Sequence, residues 1–143
     1  MKWITRAHVH VDRVACPWLI KRFIDSQAEF LFVASNLVQE TAERENAIPF
    51  DIAGVELGHK GSDCSFVSIM KKYDLKDKAL LALADVVNAA DTNTLDSNAY
   101  AYGLEAMAQG FSLMYPDDKA NIERQFQVYD ALYAFFRIDV VKK

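Results

Sequence analysis

Ile4-Thr5-Arg6-Ala7-His8-Val9-His10-Val11-Asp12-Arg13, running on into Ala15-Cys16-Pro17-Trp18-Leu19-Ile20, is the stretch on which the fold turns. Apolar and polar residues alternate from residue 2 to residue 11, which predicts a strand, because strand side chains alternate between faces with a period of two. Val9 and Val11 then share one face, and Arg6, His8, His10 and Asp12 share the other. Same-face neighbours lie roughly 6.6 Å apart along a strand, close enough for two imidazoles to converge on one metal ion or one oxyanion. Solvated or core-satisfied imidazoles on an ordinary strand also explain the pattern. A helix follows, beginning either near Asp12 or with Pro17 at its first position. The first choice strands the Arg13 carbonyl, and the second leaves Arg13 to Cys16 as loop with free backbone groups.

Working outward, Glu29-Phe30-Leu31-Phe32-Val33 is a short apolar run that predicts a buried strand. Ser35-Asn36 then caps a polar helix reaching about Asn46. A third strand is predicted at Phe50-Asp51-Ile52, with Val55-Glu56-Leu57 returning across Ala53-Gly54. Beyond residue 60 the period becomes helical. The stripes are Phe66, Ile69, Met70, Tyr73; Leu80, Ala84, Val87; Tyr100, Leu104, Met107, Phe111, Met114; and Ile122, Phe126, Tyr129, Tyr133, Phe136. All are read as core, and the small residues Gly103, Ala106 and Gly110 as a face packed closely on a neighbour. Asp91 to Ser97 reads as an exposed loop. Three short strands ahead of four helical stripes predict an α+β fold, mostly helical, with a small sheet covered on one side by the helices.

The chain has 143 residues, 52% hydrophobic and 12% aromatic, enough for one sizeable core and hence a single domain over residues 1–143. Its net charge of −4, with no basic stripe, argues against nucleic-acid binding by this chain alone. No apolar run is long enough to span a bilayer and no leader-like segment opens the chain, so a soluble cytoplasmic protein is expected. Cys16 and Cys64 form no C-x-x-C pair, and neither a disulfide framework nor a thiolate zinc finger is suggested. Dinucleotide, P-loop, HExxH and GxSxG signatures are absent.

Three clusters carry candidate chemistry. The first is the opening stretch with its His10 and Asp12, although Asp12 also reads as a plain helix cap. The second is Glu56-Leu57-Gly58-His59-Lys60-Gly61-Ser62-Asp63-Cys64-Ser65-Phe66. Its glycines allow close backbone approach, and it enters a helix capped by Ser62 or Asp63, whose N-terminus suits a small anion. Cys64 is there either a thiol activated by the helix start or a buried small hydrophobe. The third is Asp91, four positions beyond Val87 on an apolar stripe, where a carboxylate needs a cation, a metal or several donors. A turn-forming Asp91 at a helix end is the alternative.

Val11-Asp12-Arg13-Val14-Ala15-Cys16-Pro17-Trp18-Leu19-Ile20-Lys21-Arg22-Phe23-Ile24-Asp25, together with Trp3-Ile4-Thr5-Arg6, Pro49-Phe50-Asp51, Gly58-His59-Lys60-Gly61-Ser62-Asp63-Cys64-Ser65-Phe66, Ala90-Asp91 and Tyr129-Asp130-Ala131-Leu132-Tyr133, resembles the C-terminal domain of the chromate-resistance ChrB family over nearly the whole chain. In that family the domain stands behind an N-terminal region in chromate-responsive regulators, beside sulfurtransferase-like domains, or alone, and this chain looks like the stand-alone form. The resemblance implies a role in handling or sensing chromate, a tetrahedral dianion. It also places Arg6, Asp12, Arg13, His59, Cys64 and Asp91 on the family's motif positions.

The expected function is a metal- and oxyanion-binding domain in chromate resistance or a wider metal-stress response. The expected metal ligands are His59, Asp91, Asp12, His10 and Glu56, and the expected anion contacts are Arg6, Arg13, Lys60, Ser62 and Cys64. Imidazole and carboxylate donors suit a divalent Zn, Fe, Mn or Ni ion. A metal-dependent enzyme using the same cleft is the competing reading, and a DNA regulator a third that the acidic charge disfavours. The candidate partners are a small oxyanion or metal ion, a second copy of the chain, or a sulfurtransferase-like protein, with no membrane.

Overall fold

The computed structural model describes residues 1–142, with side chains to residue 139. Strands β1 (Lys2–Arg6), β2 (Glu29–Val33) and β3 (Ile48–Pro49) form one sheet in the order β2-β1-β3. Both pairings are parallel, with Trp3 opposite Phe30 and Ile48, and Ile4 opposite Leu31 and Pro49. Helix α1 (Val11–Phe23) links β1 to β2, as a parallel pair requires, and α2 (Val38–Glu45) links β2 to β3 after a 3-10 turn at Ser35–Leu37. Then come α3 (Ser65–Lys72), α4 (Lys78–Asp91), α5 (Ala101–Met114) and α6 (Asp118–Lys142), with another 3-10 turn at Leu95–Ser97. The fold is thus α+β, mostly helical, with a small sheet.

Helix α1 is the hub. Val11, Val14, Ala15, Cys16, Trp18, Leu19 and Ile20 are all buried, and a helix apolar around most of its circumference belongs in the centre. It packs on α3, α4, α5 and α6. Trp18 lies fully buried among the rings of Phe23, Tyr129 and Tyr133, with its Nε1 donating to Asp130 Oδ1 at 2.8 Å. Pro17 sits inside the helix, so the helix starts ahead of it and the Arg13 carbonyl lacks its usual donor. Among the described residues no helix is long and apolar enough to cross a membrane.

Several expectations are corrected. The first strand ends at Arg6, not residue 11, so Arg6, His8, His10 and Asp12 do not share a strand face. His8 takes a left-handed φ of 67°, and the His8 and Val9 N–H groups donate to the Asp118 carboxylate at 3.1 and 2.9 Å. That carboxylate ends the ladder and turns the chain into α1. The strand expected at residues 50 to 57 is replaced by a shorter one at Ile48–Pro49; the pairing ends with Phe50 N donating to Ile4 O at 3.0 Å, after which Asp51 turns left-handed at φ 50°. Its returning arm survives only as the bond from Asp51 N to Leu57 O at 3.0 Å, closing a loop. Nor is the sheet covered on one side alone. Ile4 packs against Val38, Ala42 and Ala47, so α2 covers the face opposite the main core.

The α5 stripe is also shifted. Its core side is Ala101, Leu104 and Ala108, while Tyr100, Met107 and Met114 are exposed. Gly103 and Ala106 face solvent, and among the described residues nothing beyond the helix's own neighbouring turns lies within 4 Å of where a Cβ would stand on Gly103 or Gly110. The expected close packing of the small residues therefore does not occur among the described residues.

Candidate metal centre

Four chain segments bring their polar side chains to one point beside the start of α1. Asp12 comes from the first turn of α1, Asp51 from the turn after β3, His59 from the glycine-flanked loop, and Asp91 from the last residue of α4. His59 Nε2 stands 2.9 Å from Asp91 Oδ2, 3.4 Å from Asp51 Oδ1 and 3.6 Å from Asp12 Oδ2. One imidazole nitrogen thus faces three carboxylates.

Each carboxylate is held by a specific local device. Helices leave their first N–H groups without partners, and here acids from other segments take them. Asp12 accepts from Ser65 N at 2.7 Å and Phe66 N at 3.1 Å, filling the N-terminus of α3, while Asn88 Oδ1 accepts from Cys64 N at 2.9 Å. Cys16 Sγ adds a weak donor to Asp12 at 3.4 Å. Asp91 in turn lies toward the Asp12 backbone N–H at the start of α1, which favours its charged form, and the cap residue His10 makes no side-chain cap bond there. Asp51, in a left-handed turn at φ 50°, accepts from Ser65 Oγ at 2.8 Å and faces Arg13 Nε at 3.7 Å.

The electrostatics are unbalanced. Three acids, two of them almost fully buried, face one guanidinium and one imidazole. Burial first, and then repulsion from Asp51 and Asp91, pushes the Asp12 carboxyl well above the usual range, although Cys16 and Ser65 oppose the rise. Asp91 is raised by burial and by Asp51, with His59 and Arg13 pulling it down. A buried cluster of this sign calls for a cation.

The donor set fits a metal ion. Asp12, His59 and Asp91 each offer one ligand atom, and these atoms lie within 4.8 Å of one another. Ligands held about 2.0–2.1 Å from a tetrahedral ion lie ~3.3 Å apart; the separations from His59 Nε2 to the three acids, 2.9 to 3.6 Å, bracket that value. The His59 side chain is 46% exposed while Asp12 is 1% exposed, so the cluster has a dry acidic floor and an open mouth.

The other expected residues lie elsewhere. Glu56 pairs with Lys72 at 2.7 Å on the surface. His10 turns to Glu105 of α5, at 3.1 and 3.2 Å. Arg6 is exposed at the end of β1. Lys60 and Ser62 are exposed in a tight turn closed by Lys60 N to Asp63 O and its reciprocal, with Gly61 at φ 61°. Arg13 alone of the expected anion contacts reaches the cluster, and there it faces an acid. Neither Ser62 nor Asp63 caps α3; Cys64 is the cap residue. The helix start expected to bind an external anion is filled by Asp12. Burial, with Asp12 close by, raises the Cys64 thiol far above its ordinary range, which makes it a small hydrophobe and not a nucleophile. Sequence reasoning does not single out Asp51, Ser65 or Asn88 as site residues. A lone acid between the apolar Phe50 and Ile52 is the available signal for Asp51.

A family model described as ChrB, C-terminal domain, matches residues 3–136. Protein ChrB of Cupriavidus metallidurans is 36% identical over 136 residues, covering 94% of this chain and 40% of that protein. The chain therefore spans well under half of that relative's length. No solved structure matches it.

Proposed function

The chain belongs to the ChrB C-terminal domain family, and from that premise we propose that it is a metal-binding domain acting in chromate resistance, with His59, Asp91 and Asp12 as ligands and Asp51 beside them. The observation that carries this reading is His59 Nε2 facing three carboxylates from three other segments at 2.9 to 3.6 Å. A single imidazole N–H bonds well to one acceptor; Asp12 and Asp51 have hydrogen-bond donors of their own but, beyond the Arg13 guanidinium, no full positive charge, which a divalent ion would supply. Oxygen-rich donors with one imidazole suit Mn, Fe, Zn or Ni. Such an ion would supply positive charge for a tetrahedral oxyanion at the open mouth, a role the helix start of α3 cannot fill while Asp12 holds it.

Metal analysis of the purified chain, followed by calorimetric titration, tests the proposal. One divalent ion per chain is expected, with chromate or sulfate binding only to the loaded form. Binding that survives both His59→Ala and Asp91→Ala would defeat it. A metal-dependent enzyme is the second reading, favoured by the half-exposed His59, because catalytic ions keep one position open where structural ions do not. A turnover screen on the loaded protein separates the two. The acidic surface supports no role for this chain alone in DNA binding, and no retardation of duplex DNA at moderate salt is expected.

A further inference from the structure

Helix α5 turns an apolar face outward. Tyr102, Met107, Leu113 and Met114 stand exposed on it, Leu113 at 84% and Met114 at 66%. Glu105 is the one charge among its fourteen residues, and it is engaged by His10. A solvated helix face in a chain that is 25% charged would carry Lys or Glu at these positions. A contiguous apolar patch of this kind marks a docking surface.

We propose that this face is a dimer interface and that its occupant is α5 of a second copy, packed antiparallel about a two-fold axis at the level of Ala108. The face is self-complementary under that operation. Leu113 of one copy comes level with Gly103 of the other, where there is room because no other part of the described chain lies within 4 Å of the Gly103 Cβ position. Met114 meets Tyr102, and Ala106 meets Gly110 near the axis, where small residues let the backbones approach. Large residues at one end of the face thus fill gaps at the other, as knobs fill holes in paired helices.

The area suffices. The patch runs through Tyr100 onto Phe135 of α6, whose rings lie 5.6 Å apart. At roughly 200 Å² for a large side chain, the exposed parts of Tyr100, Tyr102, Met107, Leu113, Met114 and Phe135 come to ~700 Å² per copy, within the ~600–1,000 Å² per partner of a stable interface. Like meeting like also brings together side chains that carry no charge of their own, whereas a charged partner would leave its own groups unpaired there.

Light scattering on the full chain, from low to high micromolar concentration, tests this. A mass of twice the 16.2 kDa chain is expected at high concentration. Leu113→Glu, at an exposed position, should weaken association about tenfold or more with helical circular dichroism unchanged. Gly103→Leu, which has space in the single copy but fills the gap that Leu113 needs, should do the same. A wild-type chain that stays monomeric throughout overturns the proposal and leaves the face to a further domain or another protein. A dimer that both substitutions leave intact overturns it too, because its interface then lies elsewhere.

Discussion

The acidic centre and the outer face of α5 invert the usual sorting of side chains in opposite directions. At the centre, Asp12 and Asp51 are buried at 1% and 4% exposure, and on α5 Leu113 and Met114 are largely open to water. Buried polar groups and exposed apolar patches are the departures that carry information, since scattered surface hydrophobes are common. The two differ in construction. The acidic centre is assembled from four separate segments and interlocked through helix N-termini, so its parts hold the fold as well as the site. The α5 face is one helix surface: Tyr100 and Tyr102 at its start touch Phe135, Phe136 and Asp96, but Leu113 and Met114 at its end stand largely in water. Stability and function should therefore be entangled at the first and separable at the second.

Removing an acid that anchors a helix is the largest test of that contrast. Asp12→Ala leaves the Ser65 and Phe66 N–H groups buried without their acceptor, at about 1–3 kcal/mol each. A loss of ~3 kcal/mol in urea unfolding is expected. A loss under ~1 kcal/mol would mean the α3 N-terminus finds other partners. His59→Ala should behave differently, because His59 is half exposed and its ring faces carboxylates, whereas Asp12 fills the helix-end N–H groups of α3. Metal affinity should fall by about 100-fold or more, equal to ~2.7 kcal/mol, with the unfolding midpoint nearly unchanged. An equal loss of stability would make His59 a structural cation instead of a ligand.

The sequence is most legible where one local pattern decides the outcome. The helical stripes of α3, α4 and α6 appear in the structure with Phe66, Leu80, Val87, Ile122, Tyr129 and Phe136 buried. The alternation overstates the opening strand because Val9 and Val11 are buried, at 2% and 0%, just as a strand would demand. Burial there comes from a turn and a helix start, and the Asp118 carboxylate that imposes the turn lies more than a hundred residues away. On α5 the period is right and the stripe is turned, with Leu104 buried as expected but Tyr100, Met107 and Met114 exposed. Alanines at 101 and 108 let the helix sit close to the core, leaving the larger residues outside, and the spacing of apolar residues along a helix cannot register that. At the centre, Asp12, His59 and Asp91 each stand out alone. Asp51 does not, because its neighbours look like a strand.

A smaller effect of reversed sign separates a ligand from a structural ion pair at Asp91. Burial and then Asp51 raise its folded-state pKa, so the folded chain holds a proton more tightly than the unfolded chain does. Its contribution to stability is therefore present below the unfolded carboxylate pKa, ~3.9, and is lost as pH rises through the folded value. Asp91→Asn should remove that pH-dependent loss and keep an oxygen toward the Asp12 N–H. The metal-free variant is expected to match or exceed wild type at neutral pH by up to about 1 kcal/mol, while metal affinity falls. Adding metal should reverse the order. A metal-free variant clearly less stable than wild type would show that the His59–Asp91 pair supports the fold.

The smallest effect belongs to the α5 face. Leu113 is 84% exposed, so burying or removing it changes nothing within a single copy. Surface substitutions of this kind usually fall within about ±0.5 kcal/mol. At low concentration Leu113→Glu should unfold at the wild-type denaturant midpoint. At high concentration the two should part, because a dimer of folded chains stabilises the folded state by mass action and a monomer does not. The wild-type melting temperature should rise with concentration and that of Leu113→Glu should stay flat. If the variant is instead destabilised by more than about 1 kcal/mol when dilute, Leu113 supports the fold of the single chain. The α5 face would then behave like the acidic centre in coupling stability to function, and the distinction between the two regions would fail.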